Sequence, residues 1–247
     1  MTTLVFLHGI GGGRAAWQRQ LPFFESHGYK TLAWDAPGYG ANPSVDPYSF
    51  VNVAGAFSRA IDDLGTEPVV GVGHSMGGMI LQETYALFPQ KFSALALTFT
   101  SSAFGGTSSD FARQFIDARI GPLDFGRTMA EISAKLMPTM HGYASDPSGL
   151  MLAASVMATV PPETYRKAVA MLTTFDRRAA LEKITVPTLV LSGSDDLVAP
   201  PRMMERMAQK IPGGEYICLP GCGHLGPMDQ PDAFNNALLG FLKRHNL

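Results

Sequence analysis

The sequence has little of what marks secreted, membrane-bound or nucleic-acid-binding proteins. It contains only 2 cysteines, Cys218 and Cys222, which are too few for a disulfide framework and are expected to be free thiols. Its 19 basic and 21 acidic side chains leave a formal net charge of −2, with no basic stripe for a nucleic acid and no polybasic anchor for a membrane. No apolar run approaches the roughly 18 to 20 residues of a membrane span, or forms the apolar core of a signal peptide. We therefore expect a cytoplasmic protein whose partners are neither membranes nor nucleic acids.

Short apolar runs alternate with segments of helical length over most of the chain. The runs that indicate buried strands cover Thr3–His8, Thr31–Trp34, Pro68–Val72, Ala94–Phe99, Thr188–Leu191 and Tyr216–Leu219. Strands separated by helices favour right-handed crossovers, which place neighbouring strands parallel to one another. The pattern predicts an α/β fold with one parallel sheet and helices on both of its faces.

The alternation stops between residues 101 and 184, where no apolar run resembles a sheet strand. Helix start signals occur there at Asp110, Asp124, Asp146-Pro147 and Pro161-Pro162, and a similar signal before the third strand is Asp46-Pro47. Neither end of this section has a linker rich in glycine, serine or proline. We predict a core formed by residues 1–100 and 185–247, and a helical cap formed by residues 101–184.

A serine lies where the third predicted strand meets the next helix, in the pentapeptide Gly73-His74-Ser75-Met76-Gly77. On such a strand-to-helix turn the serine backbone is strained and its hydroxyl is lifted clear of the chain. A Cβ at Gly73 or Gly77 would strike the facing strand or helix. The plainer interpretation is a glycine-rich turn around a solvated serine, so a catalytic role for Ser75 requires partners elsewhere in the chain.

Those partners follow two later strands. A serine hydroxyl is a poor nucleophile unless a base removes its proton, and a carboxylate usually orients that base. Asp195 and Asp196 follow one predicted strand, and His224 follows the next. Each alone has a plain explanation, an aspartate as a helix cap or a histidine as a solvated loop residue. Because the carboxyl ends of parallel strands meet at one edge of a sheet, Ser75, Asp196 and His224 are predicted to converge there as a catalytic triad.

The two neighbouring aspartates are not equivalent candidates. Asp196 is the fourth residue of Gly193-x-x-Asp196, ahead of a hydrophobic residue and Pro200, so we favour it as the partner of the base. Asp195 is expected to be a loop or cap residue.

Backbone N–H groups are expected to complete the site. The negative oxygen of an acyl-transfer intermediate is usually held by two such groups. We assign one to Met76, which follows the nucleophile, and the other to Ile10 in the loop after the first strand, with Gly11 as second choice. His8 and His74 are expected to be structural, hydrogen-bonding within their loops. This chemistry calls for no metal and no cofactor.

The motifs together resemble those of the α/β-hydrolase superfamily. They are His8-Gly9, Asp35-x-Pro37-Gly38-x-Gly40, Gly73-His74-Ser75-Met76-Gly77, Gly193-x-x-Asp196 and Gly223-His224. Within the superfamily the chain is similar to small bacterial carboxylesterases and 3-oxoadipate enol-lactonases that carry a helical lid. The family usually begins with a β-hairpin ahead of the His-Gly strand, whereas this chain starts at that strand. The resemblance therefore implies about six strands, all parallel, without the antiparallel edge strand.

The resemblance also implies a serine hydrolase that cleaves small carboxylic esters or lactones through an acyl-enzyme, as a monomer or a homodimer. Haloalkane dehalogenases and epoxide hydrolases of this fold use an aspartate at this strand-to-helix turn, where this chain has Ser75. A C–C bond hydrolase or a hydroxynitrile-lyase-like enzyme with the same triad stays open, as does perhydrolysis as a side activity. So does a receptor on the same fold that binds a small molecule without turning it over.

The substrate pocket is expected between the sheet edge and the cap. Candidate lining residues are Gly11, Arg14, Trp17, Ser101, Met129 and Met151. Methionines adapt to irregular apolar surfaces, so those of the cap could roof a pocket for a hydrophobic acyl or alcohol group. The candidates for holding an anionic substrate are Arg14, Arg113, Arg119 and Arg127. The sequence does not choose between these two kinds of substrate.

Overall fold

The computed structural model describes residues 1–65, 67–105 and 109–247, and these contain one six-stranded sheet. Its strands are β1 (Thr3–Leu7), β2 (Lys30–Trp34), β3 (Val69–His74), β4 (Phe92–Thr98), β5 (Thr188–Gly193) and β6 (Glu215–Leu219). They lie in the order β2-β1-β3-β4-β5-β6, and every neighbouring pair is parallel. The prediction of an α/β fold with about six parallel strands is confirmed.

Helices connect the strands. Those that flank the sheet are α1 (Leu21–Ser26), α2 (Phe50–Asp62), α3 (Met76–Leu87), α8 (Pro201–Lys210), α9 (Gly226–Asp229) and α10 (Pro231–Arg244). Between β4 and β5 the chain forms α4 (Ser109–Asp124), α5 (Met129–Leu136), α6 (Pro147–Ala158) and α7 (Pro162–Leu172). The cap predicted over residues 101–184 includes residues 106–108, which lie outside the described residues. Its division from the core remains a prediction.

One of the two central strands of the sheet is β3, which lies between β1 and β4 and is buried along its whole length. A parallel strand covered by helices on both faces has no solvent-facing side, which explains its continuous run of valine, glycine and histidine. The edge strands β2 and β6 are only partly buried. The carboxyl end of β3 therefore leads into the middle of the sheet edge, where the candidate site lies.

The start of α2 differs from the prediction. The helix begins at Phe50 and is capped by Ser49, whose hydroxyl oxygen accepts the Asn52 N–H at 3.3 Å, so Asp46 is not its cap. A cap is decided by which side-chain oxygen reaches the free N–H groups of the first turn. Several residues near α2 had a suitable side chain, and only their placement in space selects one.

The start of α5 shows the same effect. It begins at Met129, where Thr128 and Glu131 form a reciprocal capping box, and not after Asp124 as predicted. In contrast, α6 is capped by Asp146, whose side chain accepts the Ser148 N–H, and α7 begins at Pro162 directly after Pro161, as their start signals predict. The same Asp-Pro pair therefore gives two outcomes, since Asp146-Pro147 opens α6 directly, whereas Asp46-Pro47 precedes a helix that begins only at Phe50.

Two kinds of feature are not found in the part of the chain that the structure describes. No helix there has both the length and the apolar character needed to cross a lipid bilayer. No group of 3 or more His, Cys, Asp or Glu side chains there is placed to hold a metal ion.

Candidate active site

The turn between β3 and α3 holds Ser75 in a strained backbone conformation. Its φ of 53° and ψ of −117° lie in a region that residues other than glycine rarely adopt. A Cβ at Gly73 would lie 2.6 Å from the carbonyl oxygen of Gly77, and a Cβ at Gly77 would lie 2.2 Å from the carbonyl oxygen of Leu7. Because these neighbours are backbone atoms that cannot move aside, the turn requires glycine on both sides of the serine, as predicted.

Residues at the end of β4 hold this turn in place. The Ser75 N–H donates to the Thr98 carbonyl at 3.0 Å, and the Thr100 hydroxyl donates to the Ser75 carbonyl at 2.7 Å. The Thr98 hydroxyl donates to the Gly73 carbonyl at 3.0 Å. A strained conformation persists only where its surroundings over-determine it, and these hydrogen bonds supply that condition.

Ser75, His224 and Asp196 form a hydrogen-bonded row. Ser75 Oγ lies 3.0 Å from His224 Nε2, and His224 Nδ1 lies 2.8 Å from Asp196 Oδ2. Because an ionised carboxylate only accepts hydrogen bonds, the histidine proton is on Nδ1 and the Nε2 lone pair faces the serine hydroxyl. Asp195 is half-exposed and accepts the Tyr143 N–H at 3.0 Å, away from this row. The structure thus brings together the residues that the sequence singled out, in a geometry that can activate a serine.

The carboxyl group of Asp196 is buried and accepts hydrogen bonds on both oxygens. Its Oδ1 accepts the N–H groups of Val198 at 2.8 Å and Ala199 at 2.9 Å. Burial alone raises the pKa of Asp196, but the attraction of a positive charge on His224 when its ring is protonated, the hydrogen bond from His224 and these two N–H groups hold the pKa below its usual value. Asp196 is therefore ionised at neutral pH and able to stabilise a positive charge on His224.

His74 supports the histidine of this row. Its Nε2 donates to the backbone carbonyl of His224 at 2.8 Å, and the two ring centroids are 5.3 Å apart. Burial, followed by the nearby charge of His224, lowers the pKa of His74 to about 3. His74 is thus neutral at ordinary pH and does not compete as a base. Its hydrogen bond crosses to another loop, whereas the sequence suggested a bond within its own.

The loop that carries Ile10 is held by the loop after β2. The Tyr39 hydroxyl donates to the Ile10 carbonyl at 2.8 Å, and the Ala36 N–H donates to His8 Nε2 at 3.0 Å. The proton of His8 is therefore on Nδ1, which donates to the next carbonyl along the chain at 2.8 Å. Burial is the main cause that lowers the pKa of His8, so the ring is neutral. The motif from Asp35 to Gly40 contributes to the site by shaping this loop, a role that the sequence alone did not reveal.

Ile10 and Met76 are the predicted donors to an oxyanion. Met76 is the first residue of α3, so its N–H has no acceptor within the helix and lies at the positive end of the helix dipole. Ile10 and Gly11 line the cavity beside Ser75. The assignment of the two N–H groups stays a prediction, and it enters the proposed function below.

The stretch between β4 and β5 is called here the insertion, and its residues 140–149, called the docking segment, pack directly on the loop that carries His224. The His224 N–H donates to the Met140 carbonyl at 2.8 Å. A Cβ at Gly142 would lie 2.2 Å from the Gly221 carbonyl oxygen, so the two backbones approach too closely for a side chain between them. The position of His224 therefore depends on the insertion as well as on the sheet.

Asp229, at the end of α9, joins the docking segment to the His224 loop through a buried carboxyl group that is 1% exposed. It accepts a hydrogen bond from the Ser145 hydroxyl, its backbone carbonyl accepts the Asp146 N–H at 2.9 Å, and the Cys222 thiol lies 3.8 Å from its other oxygen. Burial raises the pKa of Asp229. The sequence analysis missed both Ser145 and Asp229, because the only signal nearby was the helix start at Asp146.

A cavity lies above Ser75, between the sheet edge and the insertion. Its floor is formed by Ser75, His224 and the loop of residues 9–12. Apolar side chains of the insertion cover it, namely Leu136, Met137, Met140, Ala153, Val156 and Met157. Methionines of the insertion do line the pocket, as the composition of that section suggested. The Ser75 hydroxyl therefore faces a largely apolar space.

Of the residues predicted to line the pocket, Gly11 lies on this cavity and the others do not. Met151 is 67% exposed, whereas Met157 on the same helix is 1% exposed and faces the cavity. Met129 and Trp17 are buried in the hydrophobic core. The choice of these residues was wrong because helical spacing shows which residues share a face, but not which face meets the site.

The polar candidates are also placed elsewhere. The Ser101 hydroxyl donates to a carbonyl two residues further along the chain. The arginines are engaged by other groups: Arg14 with Asp35, Arg113 with Asp110, Arg127 with Glu131, and Arg119 over the ring of Phe115. None of these side chains lines the cavity beside Ser75. The prediction that Arg14 and Ser101 contribute to the pocket is therefore corrected.

The sequence profile of the Alpha/beta hydrolase family matches residues 4–237, and the chain belongs to this family. A protein of Mycobacterium tuberculosis, named provisionally as a non-heme bromoperoxidase, is 28% identical over 258 residues, covering 96% of this chain and 92% of that protein. The 3-oxoadipate enol-lactonase 2 of Acinetobacter baylyi is 26% identical, covering 98% and 89%. A thermophilic esterase from Thermogutta terrifontis shares the fold, with a TM-score of 0.88 at 22% identity over 100% of this chain and 91% of that one.

These comparisons confirm the family and fold that the sequence motifs implied. The relatives carry the names of different reactions, a bromoperoxidase, an enol-lactonase and an esterase. Function in such a widely used fold has to be argued from the site itself.

Proposed function

We propose that the protein is a serine hydrolase that cleaves small carboxylic esters or lactones through an acyl-enzyme. The observation that carries this proposal is the hydrogen-bonded row of Ser75, His224 and Asp196, with atoms 3.0 and 2.8 Å apart, at the floor of an apolar cavity. The enol-lactonase and the esterase among the similar proteins lend it support.

The first half of the proposed reaction forms the acyl-enzyme. The Ser75 proton passes to His224 Nε2 as Oγ attacks the carbonyl carbon, and Asp196 stabilises the imidazolium that results. The carbonyl oxygen becomes negative and is held by the N–H groups of Ile10 and Met76. His224 then gives its proton to the oxygen of the leaving group, and the bond from the carbonyl carbon to that oxygen breaks.

The second half releases the acid. A water molecule gives a proton to His224 Nε2 and attacks the acyl carbon, forming a second oxyanion at the same N–H groups. Collapse of this intermediate breaks the bond to Ser75 Oγ, which recovers the proton from His224. For a lactone, the alcohol and the acid are two ends of one product molecule.

The proposal is tested by removing the nucleophile. Ser75→Ala is expected to lower kcat for p-nitrophenyl acetate by a factor on the order of 10⁴ to 10⁶. Ser26→Ala, which removes an exposed hydroxyl on α1, is the control and is expected to keep the wild-type rate. Full turnover by purified Ser75→Ala protein would refute the assignment.

A rapid-mixing experiment separates the proposal from its alternatives. An initial burst of p-nitrophenol, equal in amount to the enzyme, indicates that an acyl group accumulates on the protein. Mass spectrometry of the quenched enzyme should then find that acyl group on the peptide containing Ser75. Binding of esters without any turnover would instead favour the receptor interpretation.

A further inference from the structure

Most of the side chains that line the cavity above Ser75 are apolar. The side chains that would face a bound acyl or alcohol group are Leu136, Met137, Met140, Met157, Leu225 and Met228. They come from two different parts of the chain, the insertion and the segment after β6 that ends in α9. Methionine and leucine side chains offer dispersion contacts and adaptable shape, but no strong hydrogen bonds.

The described lining residues offer a substrate no fixed positive charge in this space. None of the described residues that line the cavity is lysine, arginine, aspartate or glutamate. His74 also lines it, but its ring is neutral and its Nε2 already donates to a carbonyl. His224 is the candidate base, and the ionised Asp196 lies directly behind it. Asp196 therefore places a negative charge directly behind the base that an incoming group approaches.

The geometry points to a substrate that is uncharged and apolar where it enters this cavity, which excludes esters and lactones bearing a carboxylate on that part. This inference rests on the proposed function and narrows it. A carboxylate transferred from water into such a site loses its hydration and gains no partner, and Asp196 repels it. An aliphatic group of the same length keeps the full benefit of leaving water.

Three esters with the same chain length test the inference on the wild-type protein. They are p-nitrophenyl hexanoate, the p-nitrophenyl monoester of adipic acid, and the corresponding adipic monoamide ester. At neutral pH, kcat/KM for the adipate is expected to be at least about 100-fold below that for the hexanoate, because its terminal carboxylate stays unpaired. The monoamide separates polarity from charge, and its value is expected to lie between the other two.

Two lysine substitutions on α6 test whether the preference for hexanoate over adipate is caused by the absence of a positive charge in the cavity. Met157→Lys places an ammonium group at the cavity, and Met151→Lys places the same group on the exposed side of the same helix. Met157→Lys is expected to shrink the preference for hexanoate over adipate at least about 10-fold, whereas Met151→Lys leaves the preference unchanged. If Met157→Lys does not fold, Met137→Lys is the second variant on the cavity.

The outcomes distinguish this inference from the proposed function. Turnover that depends on Ser75, with hexanoate and adipate within about threefold of each other, would overturn the inference and leave the hydrolase assignment intact. An equal shift in preference from Met151→Lys would overturn the explanation by cavity charge. Absence of any turnover that depends on Ser75 would refute both.

Discussion

The candidate site has two sides that are specified in different ways. On the sheet side, backbone atoms approach so closely that glycine is required at Gly73 and Gly77, and the strand ends supply the three side chains of the row. On the insertion side, most of the contact with the cavity is made by apolar side chains that others of similar volume could replace. Backbone geometry therefore constrains the part of the site that would carry out the proposed reaction, whereas replaceable side chains form the part that would contact its substrate.

The largest expected effect is at the sheet side. Gly77→Ala places a methyl group 2.2 Å from the carbonyl oxygen of Leu7, so it is expected to lower the free energy of unfolding by about 3 kcal/mol or more and to abolish activity. Gly55→Ala is the control, because its Cβ on α2 meets only the end of the flexible Arg59 side chain, at 3.7 Å. It is expected to raise stability by about 0.5 to 1 kcal/mol. Chemical denaturation of both variants measures the difference, and equal stabilities would break the comparison.

The second effect separates the two neighbouring aspartates. Asp196→Asn removes the charge behind His224 and favours the wrong proton position on its ring, so kcat is expected to fall by a factor on the order of 10³ to 10⁴. Asp195→Asn keeps an oxygen that can accept the Tyr143 N–H, and kcat is expected to stay within about threefold of wild type. Steady-state kinetics with p-nitrophenyl acetate measures kcat for the two variants. Similar losses in the two variants would contradict the assignment of Asp196.

The third effect lies in the docking segment, where the insertion is as restrictive as the sheet. Ser145→Ala removes the hydroxyl that donates to the buried Asp229 carboxyl and accepts the Gly142 N–H, which is expected to destabilise the fold by about 1 to 3 kcal/mol. Because this segment holds His224, kcat is expected to fall about 3- to 10-fold while KM changes little. Ser155→Ala, at an exposed hydroxyl on α6, is the control and should change neither. A change in KM alone would show that the segment affects only the pocket.

The smallest effect concerns Asp229 itself, whose raised pKa distinguishes it from Asp196. A carboxyl group whose pKa is higher in the folded protein contributes stability that is fully present below its unfolded pKa of about 3.9 and is lost as pH rises through the folded value. Asp229→Asn should therefore be at least as stable as wild type at neutral pH, since the amide carries no buried charge. This advantage should shrink as the solution is acidified. Melting temperatures across that range test it, and an advantage that grows on acidification would contradict it.

The sequence predicted the parts of the site where the backbone geometry requires a particular type of residue. The turn around Ser75 requires glycines. Asp196 and His224 each follow a parallel strand, which implied that both lie near Ser75 at the same edge of the sheet. The cavity lining was not predictable in this way. Met151 and Met157 lie on the same helix and look alike in sequence, but one is exposed and the other faces Ser75. The docking segment was missed because several of its hydrogen bonds to the His224 loop join backbone groups, and because Ser145 and Asp229 lie far apart in the sequence.

The sequence by itself determined the parallel sheet, the strained serine turn and the identity of the residues that meet at the sheet edge. These follow from local rules, hydrophobic periodicity and the absence of a Cβ at particular positions, which act over a few residues. The tertiary structure alone decided which face of each insertion helix covers the cavity, which arginines are engaged elsewhere, and that residues 140–149 hold His224. Those outcomes depend on packing between segments that are far apart in the chain. Many side chains satisfy the same local pattern, and only the packing of all of them together selects one arrangement.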